Sequence, residues 1–315
     1  MTSNLATLQP ARIAEYESDA AYHSDRQRLS GSALDLFEGN PRNFAAWRAG
    51  RFEQKTTPAM AFGSLFHCLC LEPDEVEKRY AIEPEDPDKP GKCIHRASKV
   101  YKAWRAAAEK AGKTVVTLDQ MADVKPMADA MGSNPAVMEL LTCKGGLNEI
   151  ALHFNVEEFG RPMRAKLDRV IPDRDIIVEL KTTKSAVPDE KNAWAWERLG
   201  YSRKAWLYLE AYRQVFGRNA TMVHIFVETG TRYPQVSWFW TYPDSPAAQW
   251  GEIETLRVLG ELQRCEEAAD FRKAFEPGAP GGGRDPLPVP GPILNKIEFA
   301  MGTPELTMGG KGVEV

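Results

Sequence analysis

Residues 176–183 read IIVELKTT, an apolar, β-branched run of the kind that fills a buried strand, yet it carries Glu179 and Lys181. Two residues apart, they share one face of a strand. Burying either charge alone is costly, so a compensating group is expected. Asp168 lies in the preceding segment, RAKLDRVI, separated from the first by the turn-like PDR. Neighbouring strands joined by so short a turn bring the two carboxylates close together. Like charges at that range are held by a hard divalent cation with oxygen ligands. The chemistry this suits is phosphodiester hydrolysis. Mg2+ on Asp168, Glu179 and the carbonyl of Leu180 polarises a phosphate and lowers the pKa of water, while Lys181 orients the water and stabilises developing charge. Glu149, on the strand NEIALHF, is placed to add a carboxylate, and an acid with an imidazole completes a second metal position. The competing explanation is structural ion pairing of Asp168 and Glu179 with Arg169 or Lys181, which leaves one acid uncompensated.

These residues need strands to hold them. LNEIALHFNV, PMRAKLDRVI and DIIVELKTT are successive β-type segments, and TMVHIFVET and YPQVSWFWTY are two more. A long helix is predicted from about Glu190 to Phe216, stopping at Gly217, and another over about 245–275. Upstream, Ser30 or Ser32 caps a helix before a Gly-Asn-Pro stop, and residues 60–71 form a helix apolar almost all round, hence central. Residues 81–99 are a Pro- and charge-rich loop. The order gives an α/β fold: a mixed central sheet flanked by helices, behind an N-terminal helical part. The expected organisation is a mobile arm over 1–27, a helical part over 28–145, a catalytic core over 146–276 and a Gly/Pro-rich tail over 277–315.

The chain has 315 residues, 43% hydrophobic and 27% charged, with net charge −4. Such a balance gives no global signature for nucleic acid, so DNA binding must come from a local patch or from metal ions. Lys184, Lys191, Arg198, Arg203 and Lys204 cluster just past the acids and are read as phosphate contacts rather than as a solvated helix face. No segment has signal-peptide character or approaches the length needed to span a membrane, so a cytoplasmic location without membrane contact is expected. Five scattered cysteines do not make a disulfide framework and read as reduced thiols, most of them buried. The pairs Cys68/Cys70 and Cys93/His95 lack zinc spacing. Trp194, Trp196, Trp206, Tyr208 and Tyr212 are at helical spacing and belong in a core rather than under bases.

The spacing from Asp168 to Glu179-Leu180-Lys181, followed by two threonines, resembles the PD-(D/E)xK nuclease signature. FGSLFHCLCLEP before it and GYSRKAWLYLEAYRQVFG after it resemble the exonuclease VIII (RecE C-terminal) branch, in four blocks over roughly residues 28–245. The resemblance implies a restriction-endonuclease-like core and a Mg2+-dependent exonuclease, with Mn2+ as a substitute and two ions per site. It implies 5′→3′ digestion of double-stranded DNA ends by a ring-shaped homo-oligomer, leaving 3′ single strands for an annealing recombinase of the phage type. On this resemblance His67 is a second-metal ligand, Glu149, Asp168, Glu179 and Lys181 fill the remaining active-site positions, and Tyr201 opens the long helix. Lys204 stands where the family has glutamine. It shares a helix face with Tyr201 and Tyr208, at a spacing that still reaches a phosphate. Two rivals stay open: a nuclease of the same core that cuts internally or on single strands, and a DNA-end-binding or recombinase-docking module without hydrolysis.

Overall fold

The computed structural model describes residues 9–272, apart from 17, 53–56, 187–196 and 198. A six-stranded mixed sheet forms the centre: β1 (Arg12–Ala14), β6 (Leu147–Val156), β7 (Arg161–Ile171), β8 (Ile176–Thr183), β9 (Thr221–Glu228) and β10 (Val236–Thr241), adjacent in that order. Neighbours are antiparallel except β8 and β9, which run parallel with Glu179 opposite His224. A parallel pair needs a crossover, and here the connection carries α9 (Tyr201–Phe216). That helix begins and ends at left-handed glycines, Gly200 at φ 69° and Gly217 at φ 70°.

Helices cover both faces. One core layer joins the sheet to α2 (Gly31–Gly39), α3 (Pro41–Arg48), α9 and α10 (Pro246–Ala268), through Phe37, Phe44, Leu167, Ile177, Leu207 and Leu259. The other joins it to α4 (Pro58–Leu71), α7 (Leu118–Gly132) and α8 (Pro135–Thr142), through Phe66, Met127, Leu140, Val178 and Leu180. Strand β8 therefore sends Ile177 to one layer and Ile176, Val178 and Leu180 to the other, which is why its sequence is apolar without alternation. Helix α4 starts with Pro58 in its first turn and Thr57 as cap, whose hydroxyl accepts from the Met60 N–H. Its Leu65 and Phe66 are buried, so His67 is carried into the interior by the turn they anchor.

Three expectations change. Residues 12–24, placed in a mobile arm, include β1, paired to the edge of β6, and a short helix, α1 (Asp19–Ser24). Tyr22 is buried there beneath the Arg164 guanidinium, and the Tyr16 hydroxyl meets Nε2 of His153 at 2.7 Å, so burial outweighs the polar composition. Residues 81–99, expected as a loop, contain a hairpin of β3 (Glu85–Asp86) and β4 (Lys89–Cys93), tethered by the two-pronged Arg96–Glu83 pair. The thiols are free as expected, but only Cys68 and Cys265 are buried. The Gly/Pro tail over 277–315, the expected helix start near Glu190, and Lys191, Trp194, Trp196 and Arg198 lie outside the described residues. Among the described residues no helix is long and apolar enough to cross a membrane.

Candidate metal centre

The ladder between β6 and β7 has rungs at Asn148–Arg169 and Ile150–Leu167 and none between them, where Glu149 faces Asp168. Glu149 has φ 53°, a left-handed conformation that a non-glycine residue adopts at a cost of about 1–3 kcal/mol. The facing alternation breaks at the same rung, since Leu167 and Val170 both enter the α9 layer although they lie an odd three positions apart. Strands β7 and β8 part just beyond the Arg169–Val178 rung. The backbone N–H of Leu180 thereby loses its ladder partner and donates to Oδ2 of Asp168 at 2.8 Å. Interruption of two ladders thus turns two acids toward one point.

There, ligand atoms of His67, Glu149 and Asp168 lie within 4.8 Å of one another. His67 Nδ1 is 3.6 Å from Asp168 Oδ2, and Lys181 Nζ is 3.9 Å from that same oxygen. Glu179 stands beside the trio, only 2% exposed, with Oε1 paired to Lys181. Its Oε2 is buried and has no hydrogen-bond partner among the described residues. Glu149 Oε2 pairs with Lys166 Nζ at 2.7 Å.

The ionisation pattern follows from this crowding. Burial works against charge on Asp168, but His67, Lys181 and the Leu180 N–H outweigh it and hold the carboxyl well below its usual range. Burial pushes Glu179 up to about 7, with Asp168 adding to the rise. Burial, then Asp168, also raises Glu149. Burial would lower His67, but Asp168 raises it on balance. A divalent cation fits this donor set. It offers a partner to the orphaned Glu179 oxygen, relieves the two raised acids, and finds hard oxygens with one imidazole.

Of the predicted residues, the structure brings together His67, Glu149, Asp168, Glu179 and Lys181. The Leu180 carbonyl, expected as a ligand, accepts from Lys181 Nζ at 3.3 Å. Arg169 is not the partner of Asp168, because it turns to the carbonyls of Leu140 and Cys143 and to Asn148. Tyr201 stacks on the ring of His224 and meets that of Phe226 at a tilt of 41°, with Lys204 Nζ 5.7 Å from its ring centroid and 3.8 Å from Asp35. Lys184 is exposed at the end of β8. Arg203, expected to contact phosphate, is corrected: it is buried and forks Asp35 and Glu38 of α2, so its charge is spent inside. Lys166 and His224 escaped the sequence reading. Lys166 could have been found as the residue two before Asp168, and His224 as the lone imidazole in an otherwise apolar strand.

Residues 30–239 match the model of a family described as a PDDEXK-like domain of unknown function (DUF3799). Among solved structures, the chain is similar to a candidate exonuclease from Eubacterium rectale, with a TM-score of 0.54 and 14% identity over 78% of this chain and 86% of that one. At that identity the likeness is one of fold. No curated protein matches the sequence.

Proposed function

Since the chain belongs to the PDDEXK-like family DUF3799, a nuclease fold, we propose that it is a metal-dependent exodeoxyribonuclease acting on double-stranded DNA ends. The observation that carries this reading is the convergence of His67, Glu149 and Asp168 within 4.8 Å, beside the buried Glu179–Lys181 pair. Asp168, Glu149 and His67 would hold a divalent ion, with Glu179 as the adjoining carboxylate. When bound, the ion supplies Lewis-acid polarisation of the scissile phosphate and acidification of water. Lys181 contributes a fixed ammonium where negative charge builds up on the phosphate oxygens. Burial would lower its pKa, but Glu179 and Asp168 raise it on balance, so it stays charged through the working pH range. Tyr201 and Lys204 of α9 and the exposed Lys184 just past β8 are assigned to phosphate contact, on the charge of the two lysines and the resemblance in the helix motif. Mg2+ as the ion, Mn2+ as its substitute, two ions per site, 5′→3′ polarity, a ring-shaped oligomer and hand-over of 3′ strands to an annealing recombinase rest on the resemblance to exonuclease VIII.

The test is digestion of a linear duplex labelled separately at its 5′ and 3′ ends, in Mg2+ and in EDTA, by wild type and Glu179→Ala. Early loss of the 5′ label that requires both the metal and Glu179 is expected. A covalently closed duplex should survive, and cutting of it would favour an endonuclease. Binding with no loss of either label would favour a module without hydrolysis.

A further inference from the structure

Lys166 belongs to none of the roles above, yet it is the residue that touches Glu149. It sits on β7 two positions before Asp168, and Nζ lies 2.7 Å from Glu149 Oε2, with the two side chains about one-fifth exposed. A cleft of about 670 Å3, walled by Tyr16, Tyr22, Glu72 and Arg79, opens onto this pair, so water reaches the Lys166 side of Glu149.

Glu149 is the weakest-held of the three converging groups. Asp168 is fixed by a backbone N–H, and His67 rides on a buried helical turn. Glu149 has a left-handed backbone on an interrupted rung and faces a like charge. Left alone, its carboxylate would swing into the cleft, away from Asp168. We propose that Lys166 is a positioning residue for metal binding: it anchors Oε2 of Glu149 and so keeps the carboxylate turned toward Asp168, with Oε1 as the second oxygen for an ion shared with His67 and Asp168. This rests on the metal-dependent reading of the site. A side chain that ligates a metal is commonly held by such a hydrogen-bond partner, and losing one weakens metal affinity about 10–100-fold.

The opposing effect is also physical, since removing a cation beside a cation site favours metal binding. The two effects predict opposite signs for one substitution. Titration of the full-length protein with Mn2+, read by calorimetry without DNA, should therefore be done on wild type, Lys166→Met, Lys166→Arg and Glu149→Gln. Lys166→Met should bind Mn2+ about tenfold or more weakly. Lys166→Arg, which keeps a donor for Oε2, should recover most of the affinity, a rescue that a merely space-filling lysine would not give. Unchanged or tighter binding by Lys166→Met, with a wild-type site that loses affinity on Glu149→Gln, would overturn the role of Lys166 and leave the metal site standing. A wild type that binds no Mn2+, or binds as Glu149→Gln does, would overturn the site itself and this inference with it. Should Lys166→Met lose its far-UV circular dichroism, the Arg variant decides alone: the role requires near-wild-type affinity, and a loss like that of Glu149→Gln refutes it.

Discussion

At the scale of single residues, the site is a set of charges arranged so that each depends on its neighbour. Lys181 balances Glu179, which burial has already moved to about 7. Removing Lys181 therefore gives Glu179 the option of taking up a proton, so Lys181→Met should keep its fold by circular dichroism. Turnover of a linear duplex should fall about 10²–10³-fold, the loss typical of one preorganised charge at a developing oxyanion. Near-normal turnover would exclude Lys181 from the chemistry. The buried Arg203 shows the complementary case: a cation in a basic-looking stretch is spent on Asp35 and Glu38, partners more than 160 residues away in sequence.

At the scale of elements, α9 must lie close to α10 for its Tyr201–Lys204–Tyr208 face to meet the end of β8. Gly251 of α10 permits this, since a Cβ there would stand 2.0 Å from the Ser202 carbonyl oxygen. Gly260 of the same helix has only ordinary contact, at 3.6 Å from a ring carbon of Phe159. Gly251→Ala should cost about 1–3 kcal/mol or more by urea unfolding, whereas Gly260→Ala should be neutral or stabilise by up to about 1 kcal/mol. Equal effects would refute the close crossing. The N-terminal strand gives a second test at this scale. His153, under Tyr16, is lowered from 6.5 to about 4 by burial, then by Arg28 and Arg12. Above 6.5 the imidazole is neutral folded or unfolded. Below it the unfolded chain takes up a proton that the folded chain refuses until about 4, so stability is lost as pH falls between those values. From pH 7 to 5 the wild type should lose about 1–2 kcal/mol more than His153→Gln, after a discount for solvent at the ring edge. Parallel pH slopes in the two proteins would count against a buried neutral His153.

At the scale of the molecule, the site joins elements that are far apart in the chain: His67 from the helical part, Glu149, Asp168 and Glu179 from three strands of one sheet. An ion bound there ties α4 to the sheet and favours the folded state by mass action, by about 2.7 kcal/mol at a hundred times its dissociation constant. Mn2+ should therefore raise the melting temperature of wild type by about 4 °C, and that of Asp168→Ala hardly at all. An equal rise in both would place the ion elsewhere.

The chain's own pattern determined five of the six strands of the central sheet, the central helix around His67 and the acid–x–lysine pair, because period-2 and period-3.6 burial and the cost of a buried charge are local in sequence. The family motif added His67 and Tyr201, whose separation from Asp168 no spacing rule bridges. Only the tertiary structure decided that Arg203 is spent on α2, that the Leu180 N–H donates to Asp168, that residues 12–24 close the sheet edge, and that Lys166 meets Glu149. Each of these depends on where two distant segments come to lie and on how a ladder breaks. Hydrogen-bond register and packing fix that, and composition does not encode it.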